Sequence, residues 1–276
     1  MNLFPQDPKE MSFVDHLEEL RWNIIRSVIA ILVFSIAAFA SMNLIFHHII
    51  LAPARPDFWT YRMLCKLVTY AGQPQLCIDK INFTLQSRSL SGQFSMHLTS
   101  AFVVGMVLAF PYVFWEIWRF IKPGLHLKEQ KTSTGAVFFV SLLFMMGILF
   151  GYYIVSPLSI QFLANYQLSE QIENQFDVAS YISTLTTLTF SCGLMFQLPM
   201  IMFVLTKIGI VTPDFLRNFR RHAIVVILII AAIITPPDVM SQILVSLPLF
   251  ILYEVSIWVS AWELRRIKKR LLVKNN

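Results

Sequence analysis

Charge is scarce in this sequence and cysteine nearly absent. Only 14% of the 276 residues are Asp, Glu, Lys or Arg, about half the share usual in a soluble globular domain. Folding such a chain in water would expose apolar patches larger than soluble monomers carry, so a soluble protein is excluded. The three cysteines, Cys65, Cys77 and Cys192, contain no CxxC pair and are too few and too far apart for a zinc site, so no metal or other cofactor is expected. An intramembrane protease would need an HExxH pair, a GxSG-like nucleophile with a placed histidine, or paired membrane aspartates, and all three are missing. No P-loop is present, so nucleotide hydrolysis is not indicated. No internal repeat aligns, which leaves a transporter of two inverted halves without visible symmetry.

What the chain does have is apolar length: 56% of it is hydrophobic, with 24 Phe. A helix needs about 20 mostly apolar residues to cross the ~30 Å hydrocarbon core. Six stretches qualify, two of them marginally: residues 22–41, 96–118, 134–156, 181–205, 221–235 and 239–261. The expected fold is all-α, a single polytopic membrane domain over residues 1–276. The acidic N terminus, with Asp7, Glu10, Asp15, Glu18 and Glu19, does not suit a cleavable signal peptide. Of the 22 Lys and Arg, 17 fall on the side that carries both termini, and the remaining five lie in the 42–95 loop. By the positive-inside rule both termini are cytoplasmic. The net charge of +6 then faces anionic lipid, and nucleic acid is not required as a partner.

Helix breakers at Pro111, Gly147, Gly151, Pro157, Pro199 and Pro248 suggest bent helices, either a concave bundle or proline merely tolerated in lipid. The 221–235 span measures only ~22 Å at 1.5 Å per residue, and the apolar part of 239–261 before Glu254 is similarly short. Two short C-terminal spans imply local thinning of the bilayer, or else snorkelling by Arg220, Arg221 and Trp258. In the outer loop, residues 57–70 fit an amphipathic helix with Phe58, Tyr61, Cys65 and Val68 on one side, while Ile81, Phe83 and Leu85 alternate as in a strand. A small cap over residues 42–95 follows, which a Cys65–Cys77 disulfide could close on the oxidising side.

The N-terminal segment carries the most information per residue. Ser12 and Asp15 have capping-box spacing, and Phe13, Leu17, Leu20 and Ile24 recur at helical intervals. Asp15, Glu18 and Glu19 place acids on a face otherwise basic. They read either as a cation site or as local pairing, for instance Glu18 with Arg21. Ionisable or amide groups inside spans are costly and point to function, which singles out Gln197 and Glu254; Glu116 with Arg119 near the end of the second span is ambiguous.

Three stretches, FVDHLEELRWNII, WRFIKPGLHLKE and TPPDVMSQILVSLPLFILYE, resemble the TatC family, the TatC subunit of the twin-arginine protein translocase. The resemblance runs from about Ser12 to Trp262 and implies a six-helix receptor in the cytoplasmic (inner) membrane of a prokaryote. Such a receptor is not an enzyme. It binds the twin-arginine signal peptides of folded cargo and nucleates export driven by the proton-motive force. The resemblance assigns the paired arginines to Glu19 and Glu129, with Arg21 orienting Glu19 or meeting lipid phosphate and Phe120 packing the peptide; read locally, Glu129 would instead pair with Lys128 or Lys131, and Phe120 would be an interfacial aromatic beside Trp115 and Trp118. A carboxylate can accept a guanidinium bidentately and Lys cannot reproduce that fork, which suits the discrimination required. Pro53 matches a proline of the first outer loop. Gln197 stands where the family often carries Glu; an amide does not titrate, which leaves it hydrogen bonding to a peptide or partner, or an intramolecular bond to Ser191 or Thr187. Gln242 and Glu254 match family positions, with Gln242 implied to receive a single-span TatA-type partner, and Asp238 is placed to cap the last span. A TatB-type subunit, membrane lipid and further copies of the chain complete the implied partners. The rival expectation is a small-solute or ion-coupled transporter.

Overall fold

The computed structural model describes residues 13–70, 72, 84–121, 134–166, 169, 174–235 and 239–275. Among them, five helices are long and apolar enough to cross a membrane: Glu18–Ala40, Gly92–Ile121, Val137–Asn165, Val178–Ile208 and Ser241–Ile267. Their outward faces carry large apolar side chains such as Ile36, Phe138 and Leu247, each more than 60% exposed, as lipid-facing surface requires.

The chain forms two compact units, residues 1–40 with 101–141, and residues 41–100 with 142–276. The first is built on α1 (Phe13–Ala40) and the greater part of α4 (Gly92–Ile121). Gly105 sets their spacing. A Cβ built on it would lie 2.6 Å from the Ser35 backbone nitrogen and Cα, so only glycine lets the two helices approach this closely.

The second unit opens with α2 (Met42–Ile45), a π turn (Phe46–Ile50) and a 3-10 turn (Ala52–Ala54), followed by α3 (Trp59–Tyr70) and β1 (Thr84–Gln86). The amphipathic helix expected over 57–70 is therefore present, with Phe58 and Tyr61 buried. Of the alternating triplet, Leu85 is in β1, and Ile81 and Phe83 lie outside the described residues, as does Ser12. β1 pairs in parallel with β2 (Gln175–Asp177), Leu85 opposite Phe176.

The third span does not stop at residue 156. α5 (Thr134–Phe150) passes through a π turn (Gly151–Val155) into α6 (Ser156–Asn165). Pro157 has no N–H to give the Tyr153 carbonyl one turn earlier, and the Thr60 hydroxyl from the cap donates to that carbonyl instead. The Tyr61 hydroxyl lies 3.0 Å from the Pro53 carbonyl and 3.1 Å from that of Pro157. Tyr152 and Tyr181 donate to the Ile49 and Ile50 carbonyls at 2.8 and 2.7 Å. The cap is thus tied to the spans by side-chain hydroxyls that donate to backbone carbonyls.

The fourth span is interrupted. α7 (Val178–Met195) ends at Phe196 and Gln197, and α8 (Leu198–Ile208) starts with Pro199 in its first turn, where no N–H is needed. α8 closes on Gly209 at φ +87°, a left-handed cap suited to glycine. α9 (Pro213–Asn218) is capped by the Thr212 hydroxyl, which accepts from the Phe215 N–H. Residues 221–235, expected as a short span, form α10 (Arg220–Ile234), which at 15 residues is not among the five helices long enough to cross. α11 (Val239–Asn275) extends well past 261, to 37 residues, so its helical length is not short. A core of Val155, Leu188, Cys192, Ile227, Ala231, Val245 and Leu249 joins α7, α10 and α11. Thr206 and Ser260 bond across α8 and α11 at 2.7 Å, and Tyr253 donates to the Leu216 carbonyl at 2.8 Å.

Candidate functional site

The α1–α4 unit holds an unusual concentration of buried polarity. On α1, Asn23 and Ser27 are buried four residues apart, and Glu19 continues the same face half-buried. The Ser27 hydroxyl donates back to the Asn23 carbonyl at 2.8 Å, and Arg26 lies beside this face. On α4, Tyr112, Glu116 and Phe120 follow one another at the same four-residue interval. Glu116 is only 3% exposed, and the Arg26 guanidinium approaches its Oε2 at 3.9 Å. The Tyr112 side chain is hydrogen-bonded to Glu116.

Two pairings fix the register of these helices. Ser35 meets Gly105, and Arg26 meets Glu116, so α1 runs antiparallel to this part of α4. The steps between them, 9 residues on α1 and 11 on α4, correspond to ~14 and ~16 Å at 1.5 Å per residue. Continued beyond that pair, the register runs one turn to Phe120 on α4 and two turns to Glu19 on α1, toward the same end of the unit. Two residues selected from the sequence, 101 positions apart, thus lie toward one end of the same unit. Arg21 is exposed at that end with its guanidinium 5.9 Å over the Trp22 ring, so it lies along the helix surface. Trp118 is buried and stacks on Phe114 at 6.0 Å, which anchors the helix just before Phe120. Glu129 lies outside the described residues, as do Cys77 and Asp238.

The remaining candidates belong to the second unit. The Gln197 amide donates to the Gly193 carbonyl at 3.5 Å, at the break between α7 and α8. Gln242 donates to the Leu228 carbonyl at 3.2 Å and so ties α11 to α10. Glu254 accepts from Arg220 at 2.7 Å, both side chains about half-exposed. Pro53 is buried in the cap beneath Tyr61, a structural placement. Cys65 is disulfide-bonded, and Cys192 is a free, buried thiol. Among the described residues no group of three or more His, Cys, Asp or Glu is gathered to hold a metal.

Sequence reasoning alone misses Asn23 and Arg26, and it sets Glu116 beside Arg119 instead. The signal was present: Arg26 and Glu116 are opposite charges inside predicted spans, both near the same membrane face, where an unpaired charge is costly.

The TatC family, Sec-independent protein translocase protein (TatC), matches residues 15–248. A Sec-independent protein translocase protein TatC from Blattabacterium sp. subsp. Periplaneta americana is 39% identical over 256 residues, covering 92% of this chain and 96% of that protein. The TatC of Aquifex aeolicus is 32% identical over 260 residues, 94% of this chain and 98% of its own length. Two crystal structures of the twin-arginine translocase receptor TatC superpose on 89% of the chain. Their TM-scores are 0.68 and 0.72, at 31% and 32% identity, with 97% and 99% of the solved chains covered.

Proposed function

Because the chain belongs to the TatC family and is a receptor subunit of the twin-arginine translocase, we propose that it holds the paired arginines of a signal peptide at the end of the α1–α4 unit where Glu19 and Phe120 lie. It is a multi-pass membrane protein and a component of a Tat translocase complex, not an enzyme. The observation that supports the site is the antiparallel register of α1 on α4, in which Glu19 and Phe120 both lie toward the same end of the unit.

A carboxylate at Glu19 accepts one guanidinium through two parallel N–H···O bonds, and Glu129 receives the second. Phe120 offers a face for the peptide or for the guanidinium plane. Lys presents a single ammonium with no planar fork, so a twin-lysine peptide loses the bidentate geometry while keeping its charge.

In this reading the membrane is the cytoplasmic one, with six spans and both termini inside, so the site meets signal peptides as they leave the ribosome's compartment. Gln197 at the α7–α8 break, and Gln242 and Glu254 on α11, serve single-span TatA-type or TatB-type partners, several receptor copies assemble together, and the proton-motive force drives export by the assembled complex. Equilibrium binding tests the site directly. The full chain in lipid nanodiscs should bind a twin-arginine signal peptide at least tenfold more tightly than its twin-lysine version, and Glu19→Gln or Glu129→Gln should erase that preference. Equal affinity for the two peptides would overturn it.

A further inference from the structure

Glu116 is buried, yet its Oε2 has no hydrogen-bond partner. Arg26 Nη1 stands 3.9 Å away, close enough to neutralise the charge and too far to donate a hydrogen bond. A buried carboxylate oxygen left in this condition retains an unused capacity for a charged donor. One turn earlier on α1, the buried Asn23 Nδ2 also lacks an acceptor. The guanidinium that neutralises Glu116 belongs to a side chain 45% exposed, whereas the Glu116 side chain is only 4% exposed. Of the two partners, Arg26 is the one in contact with the surroundings, so it is the one that can leave. Phe120 lies one turn beyond Glu116 on the same face of α4, so this oxygen continues the peptide site inward.

We propose that Glu116 is a further acceptor for a signal-peptide arginine and that Arg26 is its resident substitute, displaced when the peptide binds. The exchange replaces one guanidinium by another, so the charge of the pocket is unchanged and no proton moves. The incoming group gains the bidentate pair that Arg26 does not form. The buried Asn23 amide gains a peptide carbonyl, and the released Arg26 turns to lipid phosphate or solvent, which its exposure already permits. The proposal rests on the receptor reading above and adds a competitor built into the chain.

Displacement and a purely structural ion pair predict opposite signs for Arg26. The test uses the full chain in nanodiscs with twin-arginine and twin-lysine peptides, and records thermal unfolding of every variant. Glu116→Gln should weaken twin-arginine binding about tenfold, equivalent to ~1.4 kcal/mol, and leave twin-lysine binding unchanged. Arg26→Gln should tighten twin-arginine binding several-fold, because the competitor is gone. Arg26→Lys should tighten it less and serves if Arg26→Gln does not fold. The neutral pair Arg26→Gln with Glu116→Gln should bind as weakly as Glu116→Gln alone. A weakening by both Arg26 variants, alongside a fall in unfolding temperature, would overturn displacement in favour of a structural clamp. Unchanged binding in Glu116→Gln, with Glu19→Gln still impaired, would overturn the proposal and leave the receptor reading standing. A wild-type chain with no preference for twin arginine would remove both.

Discussion

Ser35 and Gly105 meet backbone to backbone, with no room between them for even one methyl group. That contact sets the depth at which α1 lies on α4, and the Arg26–Glu116 pair and the Glu19–Phe120 end follow from it. Gly105→Leu should therefore destabilise the protein by ~1–3 kcal/mol, the usual cost of overpacking, and should also lower twin-arginine peptide binding. Thermal unfolding and peptide binding measured together check this. Retained affinity in a destabilised Gly105→Leu chain would mean that the spacing does not position the site.

The cap should depend on hydroxyls more than on its apolar contacts. Thr60→Val keeps the shape and leaves the Tyr153 carbonyl without its cap donor, at an expected cost of ~1–3 kcal/mol. Tyr61→Phe should cost about 1 kcal/mol. Burial also pushes the Tyr61 phenol up from its ordinary value, so the folded chain holds it neutral. Its contribution is complete below about pH 10, where an exposed tyrosine ionises, and is lost as the pH rises further. Denaturation followed between pH 8 and 11 should show a steeper alkaline loss in the wild type than in Tyr61→Phe.

Cys65 is bonded while Cys192 is free and buried, so peptide mapping without reductant should recover one free thiol, on the peptide containing Cys192. Cys65→Ser should lower stability by ~2–4 kcal/mol. Recovery of Cys65 as a free thiol from protein isolated under oxidising conditions would contradict the bonded cap.

Glu254 and Arg220 are each about half-exposed, so screening leaves their pair little weight despite the 2.7 Å separation. Glu254→Gln should change stability by no more than ~1 kcal/mol. If Glu254 serves a partner subunit, the same substitution should reduce co-purification of TatA-type subunits while leaving the unfolding temperature unchanged. Loss of stability without loss of the partner would make Glu254 an internal brace.

Hydropathy made the spans legible in the sequence because lipid imposes one simple demand, a long apolar run. The details that escaped it are all long-range. Residues 157–165 read as a connection because Pro157 normally ends a helix, yet Thr60 supplies a donor for the Tyr153 carbonyl, 93 positions away in the sequence. The break at Phe196–Gln197 lies inside a long apolar stretch, where Gln197 and Pro199 are the local signs and neither by itself ends a span. α11 continues past 261 because its last turns are charged but still strongly helix-forming, so loss of hydrophobicity did not mark the helix end. At the site, Glu19 and Phe120 were legible as members of recognisable stretches. Glu116 became meaningful only with Arg26 beside it, a pairing across 90 positions that no local pattern encodes.

The most direct measurement is photo-crosslinking from positions 19 and 120 of the full chain in native membranes, with a twin-arginine precursor and its twin-lysine counterpart presented in turn. The receptor account predicts adducts from both positions with the arginine precursor, none with the lysine form, and their loss when Glu129 is reversed to Lys. Adducts of equal yield with both precursors, or none from a folded chain, would contradict it.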